Sequence, residues 1–504
     1  MIARKSTLII ITHLLNGLLG YIALKFIALY MEPWEYGVVG FAYGFVALFS
    51  FLSDLGFNAA HIKRVSEGRD LETCIATFAV TKLALAGLMA SVVIGSLAVW
   101  KYVVGNSFET PYHESAVYIL LASFLLLGVT RTMIFTFNAR QEIAKSQLPH
   151  FVATLARVVA TIVVAYLGWG ALALAYTYLF GELFQFSLAL FFFRNYSFGR
   201  PSADYFRDYL RFARPMALAS AAYIIMTSMD KVFIQFFWGA TQVGEYFAVF
   251  NLSHFVLLFV YAVGTLLFPA ISEYHAINNI EGVRKLFLQS ERYLSMIVFP
   301  LVVLLAALAE PVIHILISDQ YLPAVQVLRI LPFFVVLETL SLPYVSNLQG
   351  MNEPQKVRNR VIIMLILNIT LNLVLIPQEL EIIGLQCAGL GALGAAIATV
   401  VAYFVGLIYI KQVALKLIGI KGSGRIMWHV IAAALMGAIV LYTNNIMAIG
   451  RWYELLGIVV GGLLLYFVLL VVFREFTRED LDFFLYTLNI RELFRYLNEE
   501  LRGR

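Results

Sequence analysis

The stretch YGVVGFAYGFVALFSFLSDLGFNAAHIKRV, residues 36–65, decides the class of fold. It opens with an apolar run of about 20 residues, the length at which a helix crosses ~30 Å of hydrocarbon. It then reaches an acid, Asp54, and ends in the basic pair Lys63 and Arg64. Similar runs recur along the 504 residues, which are 61% hydrophobic and 13% charged. Because soluble domains carry about 25% charged residues, the sequence predicts an all-α polytopic membrane protein.

About fourteen membrane-spanning helices are predicted from the apolar runs. The first run is longer than the core of a signal peptide and is expected to be retained as a helix. The two cysteines, Cys74 and Cys387, would lie on opposite sides of the membrane, so no disulfide is expected. The predicted spans cover residues 7–31, 37–57, 73–100, 115–138, 149–168, 170–193, 214–238, 245–270, 291–317, 325–349, 357–376, 389–410, 425–444 and 452–473.

The distribution of lysine and arginine predicts the orientation. With the N-terminus inside, 28 of the 36 cations fall in inner connections, and 2, Lys101 and Arg451, fall in outer ones. Inner loops carry an excess of Lys and Arg, so both termini are expected to be cytoplasmic, in a plasma or inner membrane. One missed span would exchange the sides of every later loop, so the bias also supports the number of helices.

An internal repeat predicts two six-helix lobes. GWGALALAYTYLFGELF at 168–184 and GLGALGAAIATVVAYFV at 389–405 keep small residues in register, and Tyr36-Gly37 corresponds to Val243-Gly244. Transporters are often built from such repeats, with the substrate site at the repeat interface. The predicted organisation is an N-terminal lobe 1–193, a cytoplasmic amphipathic linker 194–213, a C-terminal lobe 214–410, an added helix pair 411–473, and a cytoplasmic amphipathic tail 474–504.

Cations inside the predicted spans mark a candidate substrate path. A charge at mid-bilayer costs at least ~2.5–3.5 kcal/mol, so the default interpretation is a functional or paired group. Arg131, Arg157 and Lys82 would form a positive patch in the inner leaflet, and Lys25 and Lys231 a second station nearer the outside. Such cations suit an anionic group, for example a pyrophosphate or an acidic sugar. The alternative is internal ion pairs combined with side chains that reach the interface.

Three acids are candidate gate or coupling residues: Asp54, Asp230 and Glu338. Asp54 lies about one helical turn from the predicted cytoplasmic face, where Gly56 permits a turn, and we predict that it forms the inner hinge or gate. Asp230 cannot share a helix face with Lys231, because sequence neighbours diverge by ~100°. It is expected to pair with another helix or to take a coupling ion such as Na⁺ or H⁺.

Motifs of enzyme chemistry are absent from the sequence. The Gly-rich GIKGSG at 419–424 lacks the Lys-Ser/Thr order of a nucleotide site. Predicted outer connections such as EPWEY, 32–36, leave no room for a catalytic domain. We therefore expect a non-enzyme without cofactor, metal or nucleic-acid partner that works within the lipid bilayer.

These features, in this order and spacing, resemble the multidrug/oligosaccharidyl-lipid/polysaccharide exporter superfamily, in its polysaccharide-transporter branch. The resemblance is carried by residues 36–65, 211–246, 267–273, 347–377 and 389–403.

The resemblance implies two lobes that work by alternating access. It implies a flippase that moves a polyprenyl-(pyro)phosphate-linked oligosaccharide from the inner to the outer leaflet, for cell-surface polysaccharide or glycan assembly. In similar lipid II flippases two extra helices form a groove for the lipid tail, and residues 425–473 would do so here. An ion-coupled multidrug antiporter of the same fold is the alternative, although a cationic cavity is a poor match for cationic drugs. A third alternative is a non-transporting membrane scaffold, which would not explain the presence of the buried charges.

Overall fold

The computed structural model describes residues 2–103, 108–257, 280–351, 353–380, 384–419, 422–447, 449–476, 478 and 480. The regular structure of these residues is helical apart from a two-stranded antiparallel sheet, β1 (Glu379–Leu380) with β2 (Leu385–Gln386). The helices are α1 (Ile2–Tyr30), α2 (Pro33–Leu48), α3 (Phe57–Ser66), α4 (Leu71–Ala98), α5 (Pro111–Ala139), α6 (Ile143–Tyr166), α7 (Gly170–Phe193), α8 (Ala203–Trp238), α9 (described over 240–257), α10 (Ile280–Ala307), α11 (Ala309–Val312), α12 (Val325–Ile330), α13 (Phe333–Gly350), α14 (Pro354–Leu375), α15 (Gly391–Ile418), α16 (Ile426–Met447) and α17 (Trp452–Val472).

The described helices confirm a multi-pass membrane protein. Twelve of them are long and apolar enough to cross a membrane, and α2 with residues 50–66 forms one further pair, bent by 49°. Of the predicted span 245–270, only residues 245–257 are described. The predicted number of fourteen spans is therefore approximate. The predicted tail helix also lies outside them from residue 481 onward.

Contacts within the chain group it into two units. One contains Leu15–Val249 and Arg358–Ala402, and the other contains Met1–Leu14, Phe250–Val357 and Tyr403–Arg504. The lobe boundaries derived from the sequence repeat remain a prediction. Residues 203–213 of the predicted linker form the first turns of α8, which continues without a break to Trp238.

In the first unit, α2 and α9 touch backbone to backbone. A Cβ atom on Gly37 would lie 1.7 Å from the Ala240 carbonyl oxygen, and one on Gly244 would lie 1.9 Å from the Pro33 carbonyl oxygen. Only glycine allows such an approach, because it has no Cβ. The contact is reciprocal, and its two glycines are those that the sequence repeat aligns.

The helix that follows the bend, α3, is held by a buried histidine. His61 lies between the Tyr209 hydroxyl, 3.0 Å from Nδ1, and the Thr136 hydroxyl, 2.9 Å from Nε2. Its ring stacks on Phe78 at a centroid distance of 4.1 Å. This node fixes α3 against α4, α5 and α8, so the bend after α2 has a rigid support on one side.

In the second unit, two adjacent residues of α10 hold different parts of the chain. Glu291 is fully buried and accepts hydrogen bonds from the Tyr344 hydroxyl and the Ser423 N–H, both at 2.7 Å. Arg292 Nε donates to Glu475 Oε1 at 2.7 Å, and its Nη2 donates to Asp480 Oδ2 at 2.6 Å. The segment after α17 is thus clamped to α10 by buried ion pairs.

Candidate functional site

Two of the predicted substrate-binding cations share one aromatic environment. Arg131 lies on α5 and Arg157 on α6. The guanidinium carbon of Arg157 lies 4.9 Å from the ring centroid of Tyr178. That ring is 5.9 Å from the ring of Tyr43 on α2. The charges of both arginines act on Tyr43 and on Glu182 of α7. We call these five residues the arginine cluster.

The two guanidinium groups of the cluster are unpaired. Among the residues that the structure describes, neither Arg131 nor Arg157 has a hydrogen bond or an ion pair. The Arg157 guanidinium makes a cation–π contact with the Tyr178 ring. Both side chains are partly accessible. A guanidinium offers five N–H donors in a fixed fork that matches phosphate oxygens. The pair can therefore bind an anion without first breaking a protein contact.

Close helix packing places Arg157 against α7. A Cβ atom on Gly181 would lie 3.0 Å from the Ala153 carbonyl oxygen and 3.0 Å from Arg157 Cβ. A larger residue at Gly181 would push α6 and its arginine away from α7. The neighbouring Glu182 is an acid that sequence reasoning did not assign, although an acid within an apolar span was a signal that could have found it.

Lys82, the third cation of the predicted patch, is engaged elsewhere. It is 1% exposed, and its Nζ donates to the Ser53 carbonyl oxygen at 2.5 Å. That carbonyl belongs to the 3₁₀ turn Ser50–Ser53, where the helix that began as α2 ends. Its charge also interacts with those of Asp54 and Arg131. Lys82 therefore supports the bend, and a contact with substrate remains a prediction.

Asp54 lies at the bend itself. Its Oδ1 accepts the N–H of Asn58 at 3.0 Å, which satisfies a free donor in the first turn of α3. The next two residues, Leu55 and Gly56, have φ angles of 44° and 83°. These left-handed conformations lie within the segment 50–66, which is bent by 49° from α2. This geometry suits the predicted hinge, whose motion is a proposal.

The predicted second station contains two lysines on different helices. Lys231 is 2% exposed, and its Nζ donates to the Thr227 carbonyl of its own helix at 2.9 Å. Gly44 of α2 makes room for it, since a Cβ there would lie 2.9 Å from Lys231 Cβ. Lys25 is half-buried on α1 and also has an interaction partner. Their role toward a substrate remains a prediction.

Asp230 is the centre of a buried polar node. It is 1% exposed and accepts hydrogen bonds from the Tyr246 hydroxyl at 2.6 Å, the Asn372 amide at 2.7 Å and the Thr399 hydroxyl at 3.0 Å. Asn368 completes the node through bonds with Asn372 and Thr399. The buried Oδ1 atom of Asn372 has no hydrogen-bond partner among the described residues. The node joins α8, α9, α14 and α15.

Glu338 belongs to the second unit. It lies half-buried on α13 and has an interaction partner. Its proposed gate or coupling role is not tested by the geometry of the arginine cluster or of the Asp230 node.

A cavity of about 310 Å³ lies at the connections beside α4, α6 and α7. Glu142 lines this cavity, and its carboxylate lies 2.6 Å from Lys145 Nζ, 2.8 Å from the Tyr196 hydroxyl and 3.0 Å from Arg140 Nε. Burial alone would raise the pKa of Glu142, but the bonds from Lys145 and Tyr196 and the nearby cationic charge lower it below its usual value. This charge network ties the segment after α7 to the turn before α6.

Comparison with known proteins supports the sequence-based resemblance. Residues 27–326 match the model of a family described as "Polysaccharide biosynthesis protein". The chain is 20% identical, over 474 residues, to a Haloferax volcanii protein named "Probable low-salt glycan biosynthesis flippase Agl15", covering 94% of this chain and 96% of that one.

Two groups of solved structures share the fold. One is described as the lipid II flippase MurJ in an inward closed conformation, with a TM-score of 0.74 and 16% identity, covering 92% of this chain and 98% of that one. The other is an inward-facing multidrug resistance MATE family transporter of the MOP superfamily, with a TM-score of 0.63 and 18% identity over 80% and 95%. The fold that the resemblance implies is thus confirmed.

Proposed function

We propose that this chain, which belongs to the polysaccharide biosynthesis protein family, is a flippase for a polyprenyl-(pyro)phosphate-linked oligosaccharide. It would move this lipid from the inner to the outer leaflet by alternating access of the lobes 1–193 and 214–410, with both termini cytoplasmic. The observation that carries the proposal is the pair of unpaired guanidiniums, Arg131 and Arg157, on membrane-spanning helices. Such charges are costly in a bilayer unless they are paired, and a ligand phosphate would supply the missing partner.

The chemistry of the arginine cluster fits a phosphate joined to a sugar. Guanidinium groups form charge-assisted, bidentate bonds with phosphate oxygens. Tyr43 and Tyr178 lie beside them, and binding pockets combine aromatic walls with a few placed polar groups. In this scheme the sugar occupies the polar space near the cluster while the prenyl chain stays in lipid. Lys25 and Lys231 would receive the phosphate at a later stage.

The names of two similar proteins support the same substrate class. The Haloferax volcanii relative is described as a glycan biosynthesis flippase, and MurJ is described as a lipid II flippase. One description names a glycan and the other a lipid, and both name a flippase. An unpaired cationic cluster inside the membrane is what such a substrate requires.

We assign the coupling ion, Na⁺ or H⁺, to the Asp230 node. Its carboxylate, the Thr399 hydroxyl and the unpartnered Asn372 Oδ1 are oxygen atoms, the ligands that hard cations prefer. Ion binding would neutralise the buried carboxylate and change the bonds that hold α8, α9, α14 and α15 together. Asp54 and Lys82 would form the inner hinge of the first lobe, and Glu338 stays a predicted gate residue.

An ion-coupled multidrug antiporter is the second candidate, favoured by the fold shared with the MATE transporter. It predicts affinity for cationic drugs, which two unpaired arginines would repel. The two candidates are separated by reconstituting the purified protein in liposomes. A fluorescent polyprenyl-pyrophosphate oligosaccharide should change leaflet faster than in empty liposomes, and uptake of a cationic dye should not change. Dye transport without lipid movement would replace the flippase proposal with the antiporter.

A further inference from the structure

Glu182 is an acid beside two arginines with which it forms no ion pair. Its Oε2 atom is enclosed by protein and has no hydrogen-bond partner. Among the described residues Glu182 makes no ion pair either, although the charges of Arg131 and Arg157 both act on it. The three charged groups are therefore near one another without touching.

A carboxylate whose role is to neutralise cations of the protein would lie in direct contact with them. Glu142 shows what this chain does when a carboxylate neutralises cations, because it lies 2.6 Å from Lys145 and 3.0 Å from Arg140. A buried polar group without a bond costs about 1–3 kcal/mol, so the open arrangement at Glu182 is unfavourable without a ligand. Glu182, Arg131 and Arg157 are each only partly buried, so a ligand group bound between the carboxylate and the two guanidiniums would satisfy all three.

We propose that Glu182 determines specificity for the sugar joined directly to the phosphate, an inference that rests on the proposed function. The arginines would bind the phosphate, and the carboxylate would accept hydrogen bonds from hydroxyl or N–H groups of that sugar. An ionised carboxylate is an acceptor only, and bonds to it are stronger than neutral ones. It would repel a second carboxylate, so the site takes a neutral sugar there and rejects an acidic one.

The test compares three fluorescent lipids in liposomes that contain the full chain. The lipids are a polyprenyl phosphate, the same lipid with one neutral hexose, and the same lipid with one hexuronic acid. The wild type should move the neutral-sugar lipid at least tenfold faster than the acidic one. Glu182→Gln should reduce this ratio at least fivefold, because the isosteric amide no longer repels a carboxylate. Movement of the bare polyprenyl phosphate should change less than twofold.

Two further variants separate charge from structure. Glu182→Asp keeps the charge on a shorter side chain, so it should still reject the acidic sugar but move the neutral-sugar lipid more slowly. Glu67→Gln removes an exposed acid directly after α3 and should leave all three rates unchanged. Binding of the same lipids to detergent-purified protein provides a second readout, and a thermal melt shows that each variant is folded.

An unchanged ratio in Glu182→Gln would overturn the inference. So would an equal loss for all three lipids, which would make Glu182 a structural counter-charge of the arginines. If the wild type moves none of the three lipids, the proposed function itself fails and the inference fails with it. If the wild type moves all three at one rate, the flippase stands and only the role of Glu182 is lost.

Discussion

A methyl group at Gly37 should force apart the starts of α2 and α9. The Cβ of Gly37→Ala would lie 1.7 Å from the Ala240 carbonyl oxygen and 3.0 Å from the Gly244 nitrogen. These are backbone atoms, which cannot rotate away as a flexible side chain would. A carbon approaches a carbonyl oxygen to about 3.3 Å, so the two helices must separate by roughly 1.6 Å.

The separation gives the size of the expected effect. Overpacked contacts cost about 1–3 kcal/mol, and about 1.4 kcal/mol is a tenfold change in an equilibrium. If alternating access separates these helix starts, which are predicted to face outside, only the state with the contact is penalised. Gly37→Ala should then raise the population of the separated state by roughly 5- to 150-fold.

Cysteine labelling measures this population. Cys74 and Cys387 are free thiols, so both are first replaced by serine. A cysteine is then introduced at Val243, which is fully buried beside the contact. A membrane-impermeant maleimide should label it at least fivefold faster in Gly37→Ala. The matched control is Gly87→Ala, since a Cβ at Gly87 meets nothing within 4 Å. Equal labelling in Gly37→Ala and Gly87→Ala would refute the assignment of this contact to a moving gate.

Further predictions concern the clamp, the polar node and the connection cavity. Glu475→Gln should lower the melting temperature, because breaking a buried pair costs up to about 3–5 kcal/mol and Arg292 keeps only Asp480 as an acidic partner among the described residues; an unchanged melting temperature would show that this pair does not hold the segment. Asp230→Asn should abolish the dependence of lipid movement on an ion gradient, whereas retained dependence would place coupling elsewhere. The pKa of Glu142 is lowered, so its stabilisation is present above the usual pKa and is lost as pH falls through the lowered one. The protection factor against hydrogen exchange around Tyr196 should therefore fall below about pH 4 and stay constant from pH 6 to 8.

The sequence predicted features that depend on one segment or on composition. The length of the apolar runs located the spans, because the thickness of the hydrocarbon layer sets that length. Asp230 bonds Tyr246, Asn372 and Thr399 on other helices, which is one of the two alternatives that the sequence left open; its role in coupling stays a prediction. The expectation that Arg131 and Arg157 share one patch agrees with their common action on Tyr43 and Glu182.

The remaining features depend on contacts between distant segments. Arg292 and Glu475 are separated by 183 residues, so no local pattern in the sequence could pair them. Lys82 fitted a substrate patch by its depth alone, yet its ammonium bonds the Ser53 carbonyl. The repeat aligned Gly37 with Gly244, but the alignment could not show that the two helices meet there.

The rate of lipid movement in arginine variants tests the central claim most directly. Hydrogen bonds to charged groups are worth about 1.5–3 kcal/mol, so Arg131→Ala and Arg157→Ala should each slow movement of a polyprenyl-pyrophosphate oligosaccharide by roughly 10- to 150-fold. Arg211→Ala is the matched control, since the Arg211 side chain is 83% exposed, and it should leave the rate unchanged. Undiminished movement in the double variant of Arg131 and Arg157 would contradict the account.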